Sequence, residues 1–209
     1  MNRKRIVKIL FILLCFISII SVVVFLYNSN HKNIIMERRI DTYTEYFNSI
    51  VSNDDYYIVV GSNDHNLNKY EKASISKYDS NRNKILEKVY NKGYNSTYYD
   101  VLKDGDNYIV VGSYESTKDE LKNNVRTAFI VKYDKDFNVL FDNDFSVISD
   151  STFNSVIKVD DGYIVCGNIK SVNKKDKNNG GFIIKYDFNG NEVFTKYSLD
   201  INSYYSDIL

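Results

Sequence analysis

The sequence predicts an all-β body made of equivalent four-stranded antiparallel units, three complete and a fourth begun, behind one N-terminal transmembrane helix. Three observations carry this. One pattern recurs: Tyr56-Tyr57-Ile58-Val59-Val60-Gly61, Asn107-Tyr108-Ile109-Val110-Val111-Gly112 and Gly162-Tyr163-Ile164-Val165-Cys166-Gly167 end alike on glycine, and three later runs end on Lys-Tyr-Asp at Asp79, Asp134 and Asp187. The strands that open each unit start at Tyr46, Thr97, Thr152 and Tyr204, separated by 51, 55 and 52 residues, a period that marks duplicated structural units. The second and third strands of each unit, such as Ile109-Val110-Val111 and Phe129-Ile130-Val131, are apolar without alternation, the pattern of strands covered on both faces. A lone sheet cannot cover both of its faces, so neighbouring units must stack sheet against sheet.

In chain order, residues 1–8 form a short cytoplasmic segment bearing Arg3, Lys4, Arg5 and Lys8. Residues 9–27 contain no charge, and 19 helical residues span about 28 Å, close to the hydrocarbon thickness of a bilayer. The run reads as an uncleaved anchor. A cleaved signal peptide would share the basic start but lacks its Ala-x-Ala site here, and a lipid-modified Cys15 would follow a small residue where this chain has Leu14. The basic start sets the N-terminus inside and everything after residue 27 outside the cytoplasm. Residues 28–45 are polar and without periodic signal, a stalk to the folded part.

The repeat domain covers residues 46–209, divided as 46–96, 97–151, 152–203 and the start of a fourth unit at 204–209. Each complete unit contains four runs rich in Tyr, Val, Ile and Phe, punctuated by Gly, Asp and Asn, the signature of antiparallel strands. In the third unit these are 153–159, 162–167, 181–186 and 192–197, with Asp160-Asp161-Gly162 as a hairpin turn. Between third and fourth strands, Asn81, Asp136 and Asn189 align and are expected to take the left-handed backbone of the turn. Four-stranded units of about 50 residues stacked face to face describe propeller blades.

The run of an aromatic opening strand, Asp161-Gly162-Tyr163-Ile164-Val165-x-Gly167 and then Phe182-Ile183-Ile184-Lys185-Tyr186-Asp187-x-Asn189-Gly190-Asn191-Glu192-Val193-Phe194 resembles the β-propeller repeats of bacterial secreted and surface proteins. It is more distantly similar to quinoprotein-type blades. The tryptophan common in the fourth strand of such repeats is replaced by Leu86, Phe141 and Phe194. Propellers serve enzymes, binders and scaffolds alike, so the resemblance implies architecture and not activity. Rings close with four or more blades, which predicts that the chain is either a piece of a larger propeller or half of a homodimer that completes one, three blades from each copy. The lack of a polar capping unit favours the first.

Composition excludes more than it assigns. With 27 basic and 27 acidic residues the formal net charge is zero, so no field favours nucleic acid. Two cysteines cannot build a disulfide framework, and Cys166 stands where Val60 and Val111 stand in the matching strands, as a buried apolar residue. The histidines, His31 and His65, assemble no zinc site or catalytic triad. The triplets Asp79-x-Asn81-x-Asn83, Asp134-x-Asp136-x-Asn138 and Asp187-x-Asn189-x-Asn191 meet the alternating-oxygen requirement of calcium loops. They lack the following glycine and the glutamate at the twelfth position, and hairpin chemistry accounts for them. No catalytic, cofactor-binding or metal-binding residue is assigned, and no cofactor is expected. The long loops at 62–72, 113–126 and 168–180 share one end of the stack and form the expected binding face. There Lys170, Lys174, Lys175 and Lys177 suit an anionic surface polymer, with a protein ligand the other choice. The expected function is a membrane-anchored extracytoplasmic module for binding or scaffolding; a fragment of a propeller enzyme, quinoprotein-like or hydrolytic, is the alternative.

Overall fold

The computed structural model describes residues 44–53, 55–64, 70–116, 125–145, 150–170, 179–198 and 203–208. The expected anchor at 9–27 and all but the end of the stalk lie outside them, and among the described residues no helix is long and apolar enough to cross a membrane. Among the described residues twelve strands run in chain order: β1 (Glu45–Asn53), β2 (Tyr56–Asn63), β3 (Lys72–Asp79), β4 (Lys84–Val89), β5 (Tyr94–Asp104), β6 (Asn107–Glu115), β7 (Arg126–Tyr133), β8 (Val139–Phe145), β9 (Asp150–Val159), β10 (Gly162–Lys170), β11 (Gly180–Tyr186) and β12 (Glu192–Tyr197). They form three antiparallel meanders, β1-β2-β3-β4, β5-β6-β7-β8 and β9-β10-β11-β12. The all-β class and the triplication agree with the sequence. The first strand of a fourth unit was expected at 204–209; the described part of it, within segment 203–208, pairs in no sheet. In each complete unit the opening strand gains its ladder from its own second strand, and no such neighbour stands beside 203–208 among the described residues.

The middle sheet explains the unalternating apolar runs. Val110, Phe129 and Val131 face a core shared with Ile58, Val60 and Ile75 of the first sheet, while Ile109, Val111 and Ile130 face a second core shared with Val165, Phe182 and Ile184 of the third. Successive side chains alternate between two faces, and here both faces are dry. Each core holds an equivalent trio of rings. Tyr90 stacks on Phe129 at 4.6 Å with Tyr98 tilted against both, and Phe145 stacks on Phe182 at 4.8 Å with Phe153 beside them. Offset and tilted aromatic pairs add to the burial itself.

The glycine that ends each second strand has a steric cause. A Cβ built on Gly61, Gly112 or Gly167 would lie 1.7, 2.1 or 2.1 Å from the carbonyl oxygen of Tyr46, Thr97 or Thr152, all in the opening strand. At that level the opening strand bulges, with Asn48, Tyr99 and Asn154 as the extra residues. A bulge re-aims a side chain, and two of these reach the next layer: the Asn48 and Asn154 amides donate to the carbonyls of Tyr98 (2.7 Å) and Tyr205 (2.6 Å).

Other interlayer bonds recur with the same period. The hydroxyls of Ser96, Ser151 and Ser203 accept the N–H of Ala73, Ala128 and Gly181 in the preceding sheet at 2.9, 3.0 and 3.1 Å. Lys88 and Asn143 in fourth strands donate to the carbonyls of Phe137 and Gly190 in the next layer's turns. In those turns the carboxylates of Asp79, Asp134 and Asp187 accept both the backbone N–H and the side-chain amide of Asn83, Asn138 and Asn191. These amide bonds, the side-chain one first, hold the three carboxyls below their ordinary range. The left-handed residue of each turn is one place later than expected: Arg82 (φ 70°), Phe137 (φ 62°) and Gly190 (φ 87°). The aligned Asn81, Asp136 and Asn189 are therefore not the left-handed positions, because the bonds to the first aspartate curl the chain before the reversal.

Candidate functional site

At the loop end of the stack, where the middle and third sheets meet, a cavity of about 460 Å³ is lined by Glu115, Arg126, Asp150, Thr152, Asn168, Ile169, Lys170 and Tyr204. Apart from Tyr204, its polar side chains come from the end portions of strands, which rigid ladders hold in place. Glu115 and Arg126 are cross-strand partners in β6 and β7, and their side chains pair at 3.0 Å. A second guanidinium nitrogen lies 3.4 Å from the Tyr99 hydroxyl. Burial opposes the Arg126 charge, but Tyr99 and Glu115 outweigh it and raise its pKa. The Asp150 carboxylate accepts the Arg126 backbone N–H at 2.8 Å, which ties β9 of the third sheet to β7 of the middle one.

On the opposite wall Asn168, paired with Thr152 across β10 and β9, accepts the Tyr205 N–H on its side-chain oxygen at 2.9 Å. That bond sets segment 203–208 on the third sheet and leaves the neighbouring Tyr204 ring exposed at the cavity. Lys170 closes the strand β10 and lies across from Asp150 in register. The lining thus presents one guanidinium, one ammonium, two carboxylates, an amide, a hydroxyl and an aromatic ring. This chemistry suits a polar, multiply hydrogen-bonding ligand, whose anionic group would meet Arg126 or Lys170, whose hydroxyls would meet Glu115 and Asp150, and which the Tyr204 ring would orient.

Of the expected binding loops, Glu115, Arg126, Asn168, Ile169 and Lys170 are brought together in this cavity. Lys174, Lys175 and Lys177 lie outside the described residues, as do both histidines. Asp150, Thr152 and Tyr204, from opening segments, were not expected. Their signal is the recurring polar-Ser-polar triplet Asn95-Ser96-Thr97 and Asp150-Ser151-Thr152, whose middle serine makes the interlayer bond and whose flanks therefore turn towards the loop end. Cys166 is buried on the third sheet, and burial pushes its thiol up to about 11, so it is protonated near neutrality. Among the described residues no group of three or more His, Cys, Asp or Glu side chains stands close enough to hold a metal.

Comparison of the chain with protein-family models gives no match, and comparison with curated proteins gives none.

Proposed function

We propose that the chain is a membrane-anchored, extracytoplasmic propeller-type module that binds an anionic surface polymer at the loop end of its sheets and does not transform it. The observation that carries this reading is the cavity, walled by Arg126 and Lys170 and built on strand ends of two sheets joined by Asp150. Several of its polar groups are already engaged: Arg126 with Glu115 inside the middle sheet, and Asp150 and Asn168 with the backbone N–H groups of Arg126 and Tyr205. Groups fixed in this way favour recognition of a preformed shape over proton transfer. The apolar run at 9–27 supports the anchor, and the basic residues before it support an outward-facing repeat domain.

The test is retention of the detergent-solubilised protein on columns of polygalacturonate, with neutral dextran as the control. Retention on the anionic polymer alone, lowered about tenfold or more in affinity by Lys170→Ala and Arg126→Ala as charge-assisted bonds are lost, agrees with the reading. Equal passage through both columns, or turnover of the polymer, contradicts it. Protease protection of an N-terminal but not a C-terminal tag in intact cells checks the orientation.

A further inference from the structure

One row of polar side chains passes through all three sheets. Ser49, Asp100, Ser155 and Asp207 hold the same place in successive opening segments, immediately after the bulge residue where a sheet follows. The Ser49 hydroxyl donates to Asp100 Oδ1 at 2.8 Å. The Ser155 hydroxyl lies 3.0 Å from Asp100 Oδ2 and 2.9 Å from Asp207 Oδ1. Backbone donors complete the carboxylates: Val101 N–H on Asp100 Oδ1, Val156 N–H on Asp100 Oδ2 and Ile208 N–H on Asp207 Oδ1. Both oxygens of Asp100 are thus saturated by donors from its own layer and from both neighbours. Serine and aspartate alternate because two adjacent serines would leave no strong acceptor and two adjacent aspartates would repel.

The two ends of this row are complementary. Among the described residues, Asp207 Oδ2 receives none of the donors that Asp100 Oδ2 receives. At the other end, Ser49 and the Ile50 N–H stand where Ser155 and the Val156 N–H hold a carboxylate of the preceding layer, and among the described residues no layer precedes the first sheet. The surrounding face has the matching apolar character. Phe47 is the counterpart of Tyr98 and Phe153, which are wholly buried against the preceding layer, yet it is 57% exposed, with Ile50 at 60% beside it.

We propose that this face of the first sheet is covered by the 203–208 segment of a second copy, whose Asp207 Oδ2 accepts the Ile50 N–H and lies against the Ser49 hydroxyl, so that the single Ser49 proton is shared between Asp100 and Asp207 as that of Ser155 is. The contact is head to tail, and made twice between two copies it closes a ring with the alternation unbroken. A ring of three sheets from each copy would instead bring Ser49 against Ser155, two hydroxyls without a carboxylate between them. Segment 203–208 also contributes Tyr204 to the loop-end cavity, but the contact does not depend on what that cavity binds.

The experiment uses the full chain in detergent micelles. Sedimentation equilibrium is expected to give a dimer, weakened about tenfold or more by Asp207→Ala, the loss of a charge-assisted acceptor at each junction. Because that substitution could also loosen segment 203–208 within its own copy, a second measurement does not depend on it: a copy with Ser49→Cys is mixed with a copy with Asp207→Cys and oxidised. A disulfide joining positions 49 and 207 of different copies, identified by peptide mass, supports the proposal. A monomer at every concentration overturns it, and so does a dimer in which Ser49→Cys links to Ser155→Cys and not to Asp207→Cys.

Discussion

Arg82 shows how a single residue can work against the turn it occupies. It has a φ of 70°, where its Cβ crowds the following carbonyl, and its equivalents are Gly190, which has no Cβ, and Phe137, which gains burial in the first core. Arg82 is exposed and gains no such burial. Replacement Arg82→Gly is therefore expected to stabilise the protein by about 0.5–1 kcal/mol, the relief of left-handed strain less the added freedom of glycine in the unfolded chain. Chemical denaturation of the two proteins measures the difference, and a loss of stability would show that the turn is set by its aspartate bonds alone. The left-handed position was not legible from the sequence because Asn and Asp crowd the turn. Their side chains serve as acceptors and donors to its backbone, which leaves the reversal to whatever residue comes next.

At the level of the strand, the glycine of Tyr-Ile-Val-x-Gly and the bulge opposite it are one device. The bulge brings the opening strand's carbonyl close enough that no side chain fits, and it turns Asn48 and Asn154 towards the next layer. The clash at Gly112 is with backbone, the Thr97 carbonyl at 2.1 Å, so it cannot be relieved by a rotamer change. Gly112→Ala is expected to cost about 2–3 kcal/mol, read as a lower midpoint in urea. A change below about 0.5 kcal/mol, the ordinary range for neutral surface substitutions, would mean that the strand shifts freely and that the bulge is not fixed by the ladder. The glycines were evident as a repeated letter, but the bulge was not. It consists of one extra residue in the partner strand, and only the register of the pair reveals it.

Across the whole stack, the layers are held by buried rings whose hydroxyls are neutral. Tyr98 is fully buried and bonds the Tyr133 hydroxyl at 2.7 Å. Burial pushes Tyr133 up to about 12, with Tyr98 pulling against it and Asp142 adding to it, and burial raises Tyr98 well above its ordinary value. A folded pKa above the unfolded one of 10.0 means that the unfolded chain releases its proton first. The stabilisation is thus complete below pH 10 and is lost as pH rises from there through about 12. Alkaline unfolding is expected in that window, with tyrosinate absorbance and loss of β-sheet circular dichroism rising together. Tyrosinate absorbance beyond that of the exposed tyrosines such as Tyr46 and Tyr204, found as the difference from a Tyr98→Phe/Tyr133→Phe protein and appearing with the sheet signal intact, would place these hydroxyls in contact with water. Tyr133→Phe keeps the ring but leaves Tyr98 without its partner, and should shift the transition without abolishing it.

The period, the strand type and the two-sided burial of the middle sheet were readable from the amino acids alone, because each is a local pattern: a run of apolar residues, a glycine, a turn of Asp and Asn, repeated at a near-constant interval. Cys166 was placed correctly for the same reason, by its position in a copied strand. The cavity, the aromatic trios and the Ser49-Asp100-Ser155-Asp207 row could not be read that way. Their members lie in different repeats and meet only when the sheets stack, and bonds across that distance depend on bulges, on the faces that strands present and on which layer lies beside which. Self-similarity identifies the layers, whereas the chemistry arises where unlike members of the repeat, a serine here and an aspartate there, come to face one another.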